Sequence, residues 1–212
     1  MGTDELAKKD MTKDLLKGGN KKDNKKKEKK EKKKAAAPAA PAAPKKKKHP
    51  LSLLPKSKMV LDEWKRTYSN YRGEPFSGVM PKFWEQYDPE GFQVFKASYK
   101  YMDELEVDFM TSNLVNGLLQ RSDEMRKYAF GVMQMRRNEG DKFITVDGAW
   151  LLRGDKDSWK YMVECNPDAE HYEWTHVDLN TEEGKKFTLE RFCCDYEDIV
   201  DGKMVLEAKV FK

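Results

Sequence analysis

The residues able to do chemistry are few, and their spacing argues against most of it. Cys165, Cys193 and Cys194 are the three cysteines, and His171 and His176 are two of the three histidines. A zinc site needs such side chains to converge. His171 and His176 are five apart, so on one strand they point to opposite faces, and Cys193-Cys194 is adjacent rather than Cys-x-x-Cys. A nucleophilic cysteine needs a base in reach and a lowered pKa. Cys193 instead falls on the apolar stripe of a helix and reads as a core thiol. The carboxylate pairs Asp62-Glu63 and Glu182-Glu183 are expected in a chain that is 37% charged, and read as solvated helix faces. The sequence has no G-x-G-x-x-G, Walker A loop, G-x-S-x-G or H-E-x-x-H pattern, each of which carries a defined phosphate, nucleophile or metal geometry. Around Phe95–Tyr101 aromatics and lysines alternate, which puts them on opposite faces, whereas an RNA-reading strand wants both on one exposed face. The sequence therefore predicts no catalytic, metal-binding or cofactor-binding residue, no small-molecule substrate and no enzyme.

Charge divides the chain sharply. Residues 1–50 hold 18 Lys, no Arg and 7 acidic residues, a net +11, and the remainder is −7, so the overall +4 describes neither part. The basic part suits a polyanion or an acidic partner; the acidic part is unsuited to grip nucleic acid by its average surface. All five Trp, ten Phe and nine Tyr lie after residue 63. That is enough for one core of typical domain size. Residues 1–50 have no aromatic and cannot offset roughly 1–2 kcal/mol per residue of backbone entropy, so a disordered tail is expected over 1–51. Within it, AAAPAAPAAP at 35–44 is a semi-rigid spacer. The lysines of 21–48 form an arm for RNA, the ribosome or an acidic protein, or else a solubilising linker. An odd cysteine count fits a reducing compartment. No stretch approaches the ~18–20 apolar residues of a membrane span, so a cytoplasmic protein without membrane contact is expected.

The elements that would position any site begin at Leu54–Asn70. Ser57 is a plausible N-cap, and Val60, Trp64, Tyr68 and Tyr71 recur at helical spacing, with Asp62 and Arg66 able to pair on the other side. A short helix begins near Pro81. Phe95, Ala97, Tyr99 and Tyr101 predict a strand with one buried face, while Phe92 and Val94, on the other phase, imply a bulge or a second covered face. Asn113–Lys127 predicts a helix, with Gly117 inside it hinting at close backbone approach. Ala129–Met135 reads as a central strand. Beyond the hairpin turn at 138–141, Phe143–Val146 and Ala149–Arg153 are strands separated by a turn or bulge at Asp147-Gly148. Tyr172–Val177 is a strand. Thr181 caps a helix with Leu189, Phe192, Cys193 and Tyr196 on one side and Glu182 paired with Lys186. The last strand turns Met204, Leu206, Ala208 and Val210 inward and Glu207 and Lys209 outward. Hairpin-spaced strands mixed with helices predict an α+β fold with an antiparallel sheet over residues 52–212.

An ordered set of motifs goes further. Leu54-Pro55-Lys56-Ser57, Leu61-Asp62-Glu63-Trp64-Lys65-Arg66 and Tyr68-Ser69-Asn70 are followed by Pro81, Phe83-Trp84-Glu85, Asp88 and Gly91. Then come Phe109-Met110, Asn113-Leu114, Gly117, Gln120-Arg121, Arg126-Lys127, Ala129-Phe130, Gly148, Trp150, Arg153-Gly154, Tyr172, Trp174, Gly202-Lys203 and Phe211-Lys212. This set resembles the conserved C-terminal domain of the gamma subunit of translation elongation factor 1. The resemblance implies a compact α+β domain and a non-catalytic interaction subunit. It would serve the complex that recharges the aminoacyl-tRNA-delivering GTPase, with the exchange subunits and the GTPase as partners. In that family a glutathione-transferase-like domain precedes a lysine-rich linker. This chain has about 20 residues before its linker, too few for such a domain. The expected contact surface is an exposed polar group drawn from Asp62, Glu63, Lys65, Arg66, Glu85, Arg121 and Arg153. The alternative is an RNA- or ribosome-binding protein acting through residues 21–48.

Overall fold

Strand Phe92–Tyr99 carries apolar residues on both phases because both of its faces are covered. The computed structural model describes residues 49–194 and 198–212; the expectations for the tail and for Tyr196 lie outside them. In chain order the elements are α1 (Leu61–Asn70), α2 (Met80–Gln86), β1 (Phe92–Tyr99), α3 (Asp108–Arg121), β2 (Ala129–Arg136), β3 (Thr145–Arg153), α4 (Trp159–Cys165), β4 (Tyr172–Val177), α5 (Glu182–Cys193), β5 (Ile199–Val200) and β6 (Lys203–Phe211). The strands form a sheet in the order β4-β1-β3-β2-β6-β5, with every neighbouring pair antiparallel. This is the α+β architecture expected. No helix among the described residues is long and apolar enough to cross a membrane.

Two cores result, one on each face of the sheet. On the first, Phe92, Val94, Phe130, Val132, Ala149 and Leu151 meet Trp64 and Tyr68 of α1, Met80 and Phe83 of α2 and Phe192 of α5. On the second, Phe95, Ala97, Met133, Trp150 and Leu152 meet Val115 and Leu118 of α3 and Met162 of α4. Fully burying one such large apolar side chain contributes up to about 3 kcal/mol. The second covered face thus accounts for Phe92 and Val94, and β1 keeps an unbroken register against β3.

Several local expectations are corrected. Helix α1 starts at Leu61 with Val60 as an uncapped N-cap; Ser57 bonds elsewhere. Its buried stripe is Leu61, Trp64 and Tyr68, and Val60 is exposed. Helix α3 begins five residues earlier than the leucine pattern indicated, because Thr111 is buried on the same side as Val115 and Leu118. Asp147-Gly148 is neither a turn nor a bulge: β3 runs through it, with Asp147 opposite Gln134 and Gly148 opposite Met133. A Cβ on Gly148 would lie 2.2 Å from the Val132 carbonyl oxygen, so glycine is needed there for strand contact. Thr181 caps α5 by accepting from the Gly184 N–H, but Glu182 pairs with Lys185 and Lys186 with Glu190. Lys209 does not face open solvent; its Nζ reaches Ser112 Oγ at 2.7 Å and Asn116 Oδ1 at 2.8 Å on α3.

Candidate interaction surface

Because Trp64 and Tyr68 point into the sheet, the other side of α1 is left for Asp62, Glu63 and Arg66, all exposed, with Lys65 half-buried at the edge. Glu85 is exposed on α2, in the same layer. Arg121 ends α3 in the opposite layer, where it pairs with Asp168. Arg153 ends β3 and spends its guanidinium on the carbonyls of Gly91 and Pro55. The structure therefore gathers the α1 and α2 groups on one layer, places Arg121 on the other, and uses Arg153 as a strap between the lead-in segment and the sheet.

That strap borders a cleft of about 340 Å³ lined by Leu54, Lys56, Asp88, Glu90, Arg153 and Asp155, among others. Asp88 Oδ2 accepts from Ser57 Oγ at 2.5 Å and from the Lys58 N–H at 3.0 Å. The Ser57 bond, aided by the backbone N–H groups of Lys58 and Glu90, outweighs burial and holds the Asp88 carboxyl below the usual carboxylate range. So held, Asp88 is a weaker base than an ordinary carboxylate, which suits it to pinning Ser57 rather than activating it. The turn at residues 88–91 was legible in sequence; the partner 31 residues away was not.

The other candidate chemical groups are similarly occupied. Burial pushes the Cys193 thiol up to about 12 and those of Cys165 and Cys194 up to about 11, keeping them protonated at neutral pH. His176 sits 2.8 Å from Gln93 Oε1, and burial lowers its pKa; His171 ends a 3-10 turn instead of joining it on β4. Among the described residues no group of three or more His, Cys, Asp or Glu is placed to hold a metal ion.

The strongest polar feature was missed by sequence reasoning. Asp147, 3% exposed, accepts from Arg136 at 2.6 Å and from Arg191 at 3.1 and 3.2 Å. Arg136 and Arg191, 1% and 0% exposed, also share Asp201 on the β5–β6 turn. These four residues come from β2, β3, α5 and a hairpin turn, so no local spacing announces them. Together they lock α5 and the final hairpin onto the sheet.

The chain is thus an α+β domain whose sheet is covered on both faces, with Asp62, Glu63, Arg66 and Glu85 exposed on the outer sides of α1 and α2. The chain belongs to the elongation factor 1 gamma conserved-domain family, whose model matches residues 46–156. It is 45% identical over 167 residues to elongation factor 1-gamma 2 of Oryza sativa subsp. japonica, covering 78% of this chain and 38% of that protein. It is 41% identical over 169 residues to elongation factor 1-gamma 2 of Saccharomyces cerevisiae, covering 79% and 40%. With elongation factor 1-gamma of Carassius auratus it shares 36% identity over 167 residues, covering 79% and 37%. The chain thus spans about two-fifths of the length of these relatives.

Proposed function

We propose that this protein is a non-catalytic interaction subunit of the translation elongation factor 1 complex. It acts in the cytoplasm and supports nucleotide exchange on the aminoacyl-tRNA-delivering GTPase. Residues 52–212 are the interaction module and residues 1–51 its linker. The family match over residues 46–156 carries this reading. The α1–α2 layer supports it, because Asp62, Glu63, Arg66 and Glu85 are exposed on a helix pair whose other side is fixed in the core. A buried anchor of this kind holds contact groups in place at little cost in ordering on binding.

The test is recovery of partners from cytosol on the immobilised full chain, with and without the charge reversals Glu63→Lys and Arg66→Glu. The expected result is recovery of the exchange subunits and the GTPase, reduced at least tenfold by the reversals at unchanged melting temperature. Recovery of neither partner would overturn the assignment; equal recovery by the variants would move the contact off α1. The net +11 of residues 1–50 supports a second reading, RNA or ribosome binding through residues 21–48. In that case affinity falls steeply with salt, and deleting the segment abolishes the salt dependence.

A further inference from the structure

One corner of the acidic domain is cationic. Lys65 on α1 donates from Nζ to the Arg126 carbonyl oxygen, which places its ammonium group against the Arg126–Lys127 peptide. Arg126 donates to the Lys212 carbonyl oxygen at 2.9 Å, and Lys212 Nζ reaches Ser69 Oγ at 2.8 Å, one turn beyond Lys65. Lys65, Arg126 and Lys212 therefore meet from three separated segments, with Lys127 next along the chain, against Asp123, which pairs with Arg126, and Asp62, which acts on Lys65. Burial lowers the Lys65 ammonium to about 8, with Asp62 opposing the shift and Arg126 adding a smaller push downward.

Aromatic rings adjoin Lys127, where Tyr128 packs against the second core. Lys127 lies over the Tyr128 ring, 5.8 Å from its centroid. His49 stacks on Tyr128 with centroids 4.8 Å apart and planes at 22°. Both rings are partly exposed. An acidic polypeptide needs the cations but has no use for planar ring faces. A single-stranded nucleic acid uses both, phosphates on the ammonium and guanidinium groups and bases on the rings.

We propose that the strip of Lys65, Arg126, Lys127, Lys212, Tyr128 and His49 is a contact site for single-stranded RNA on the folded domain. It is independent of the lysine-rich segment and of the subunit contacts proposed for the acidic side of α1. The phosphodiester groups lie along the four cations, and a base stacks at the Tyr128–His49 pair.

The experiment uses the full chain and a uridine 12-mer carrying 4-thiouridine. Binding is measured between 50 and 200 mM salt, and photo-crosslinks are mapped by mass spectrometry. Each phosphate contact contributes about 0.7 to the logarithmic salt slope on a single strand. Lys65→Gln with Lys127→Gln is therefore expected to lower the slope by about 1.4. The fold-loss of affinity over that salt range then shrinks about sevenfold, and Lys127→Arg preserves the slope. A crosslink is expected on the tryptic peptide Tyr128–Arg136. Three results would overturn the proposal: an unchanged slope in a double variant that melts like the parent, crosslinks confined to residues 1–48, or polyglutamate displacing the RNA as effectively as unlabelled RNA does.

Discussion

Replacing Asp147 by Ala tests the buried ionic lock most directly. The carboxylate receives three hydrogen bonds from two guanidiniums that water does not reach, with Lys96 a further 3.9 Å away. Among the described residues Asp201 then remains as the carboxylate bonded to both arginines, and its own side chain is 59% exposed. Removing one partner of a buried pair typically costs about 3–5 kcal/mol, because the surviving charge is left uncompensated. Total stability is about 5–15 kcal/mol for a domain. For one of this size the loss translates into a melting temperature lower by roughly 6–20 °C. Urea titration followed by tryptophan fluorescence should show a lower midpoint at unchanged slope. The combination with Arg191→Met should cost clearly less than the sum of the two single changes, since the second removes a charge the first orphaned. A loss below about 1 kcal/mol for Asp147→Ala, or strict additivity with Arg191→Met, would refute the view that this network locks α5 to the sheet.

Acid provides a second test of the same lock. Burial works to raise the Asp201 carboxyl, but the hydrogen bonds from Arg191 and Arg136 prevail and hold it at about 2. Its folded pKa lies below its unfolded value, so its contribution is complete above about pH 4 and is lost as pH falls through about 2. The stability gap between the parent and Asp201→Asn, read from urea midpoints, should therefore close across that window. Gly117→Ala should stabilise α3 by about 0.5–1 kcal/mol, since a Cβ there meets the tip of Arg121 at 3.1 Å and no backbone. Gly148→Ala should instead cost more than about 2 kcal/mol through its clash with Val132; thermal melts distinguish the two. With thiols pushed to about 11–12, all three cysteines should react with a disulfide reagent at pH 7.5 roughly 100-fold slower in the folded protein than in urea.

What could be read in sequence was what local periodicity controls. Trp64 and Tyr68 at helical spacing marked α1, Pro81 marked the first turn of α2, and the alternation from Tyr172 to His176 marked β4. Those patterns follow from which side of an element is buried. Asp147 failed because a charged residue beside glycine has the composition of a turn; only Arg136 and Arg191, 11 and 44 residues away, make it tolerable inside a strand. Ser57 failed likewise, since its partner Asp88 competes with the cap it was expected to form. Of the residues expected to form a contact surface, those on α1 and Glu85 fell together because two adjacent helices share a layer. Arg121 and Arg153 did not, because sequence order says nothing about which face of the sheet a helix covers. The cationic strip was illegible for the same reason: Lys65, Arg126 and Lys212 are distant in sequence and meet only through backbone carbonyls.

The Arg153 strap also decides how the domain responds to a mechanical pull. Tension transmitted along the chain into residue 49 meets the Tyr128 stack, then the Arg153–Pro55 bond and the Ser57–Asp88 bond, before it reaches the first residue of α1. These restraints tie the lead-in segment to Tyr128 just before β2, to the end of β3 and to the turn before β1. A protein stretched between its front end and a held domain would yield first by peeling residues 49–57 from the strand ends at that side of the sheet. The α1 surface would keep its shape throughout, and the lead-in would serve as a slack-taking hinge rather than as part of the grip.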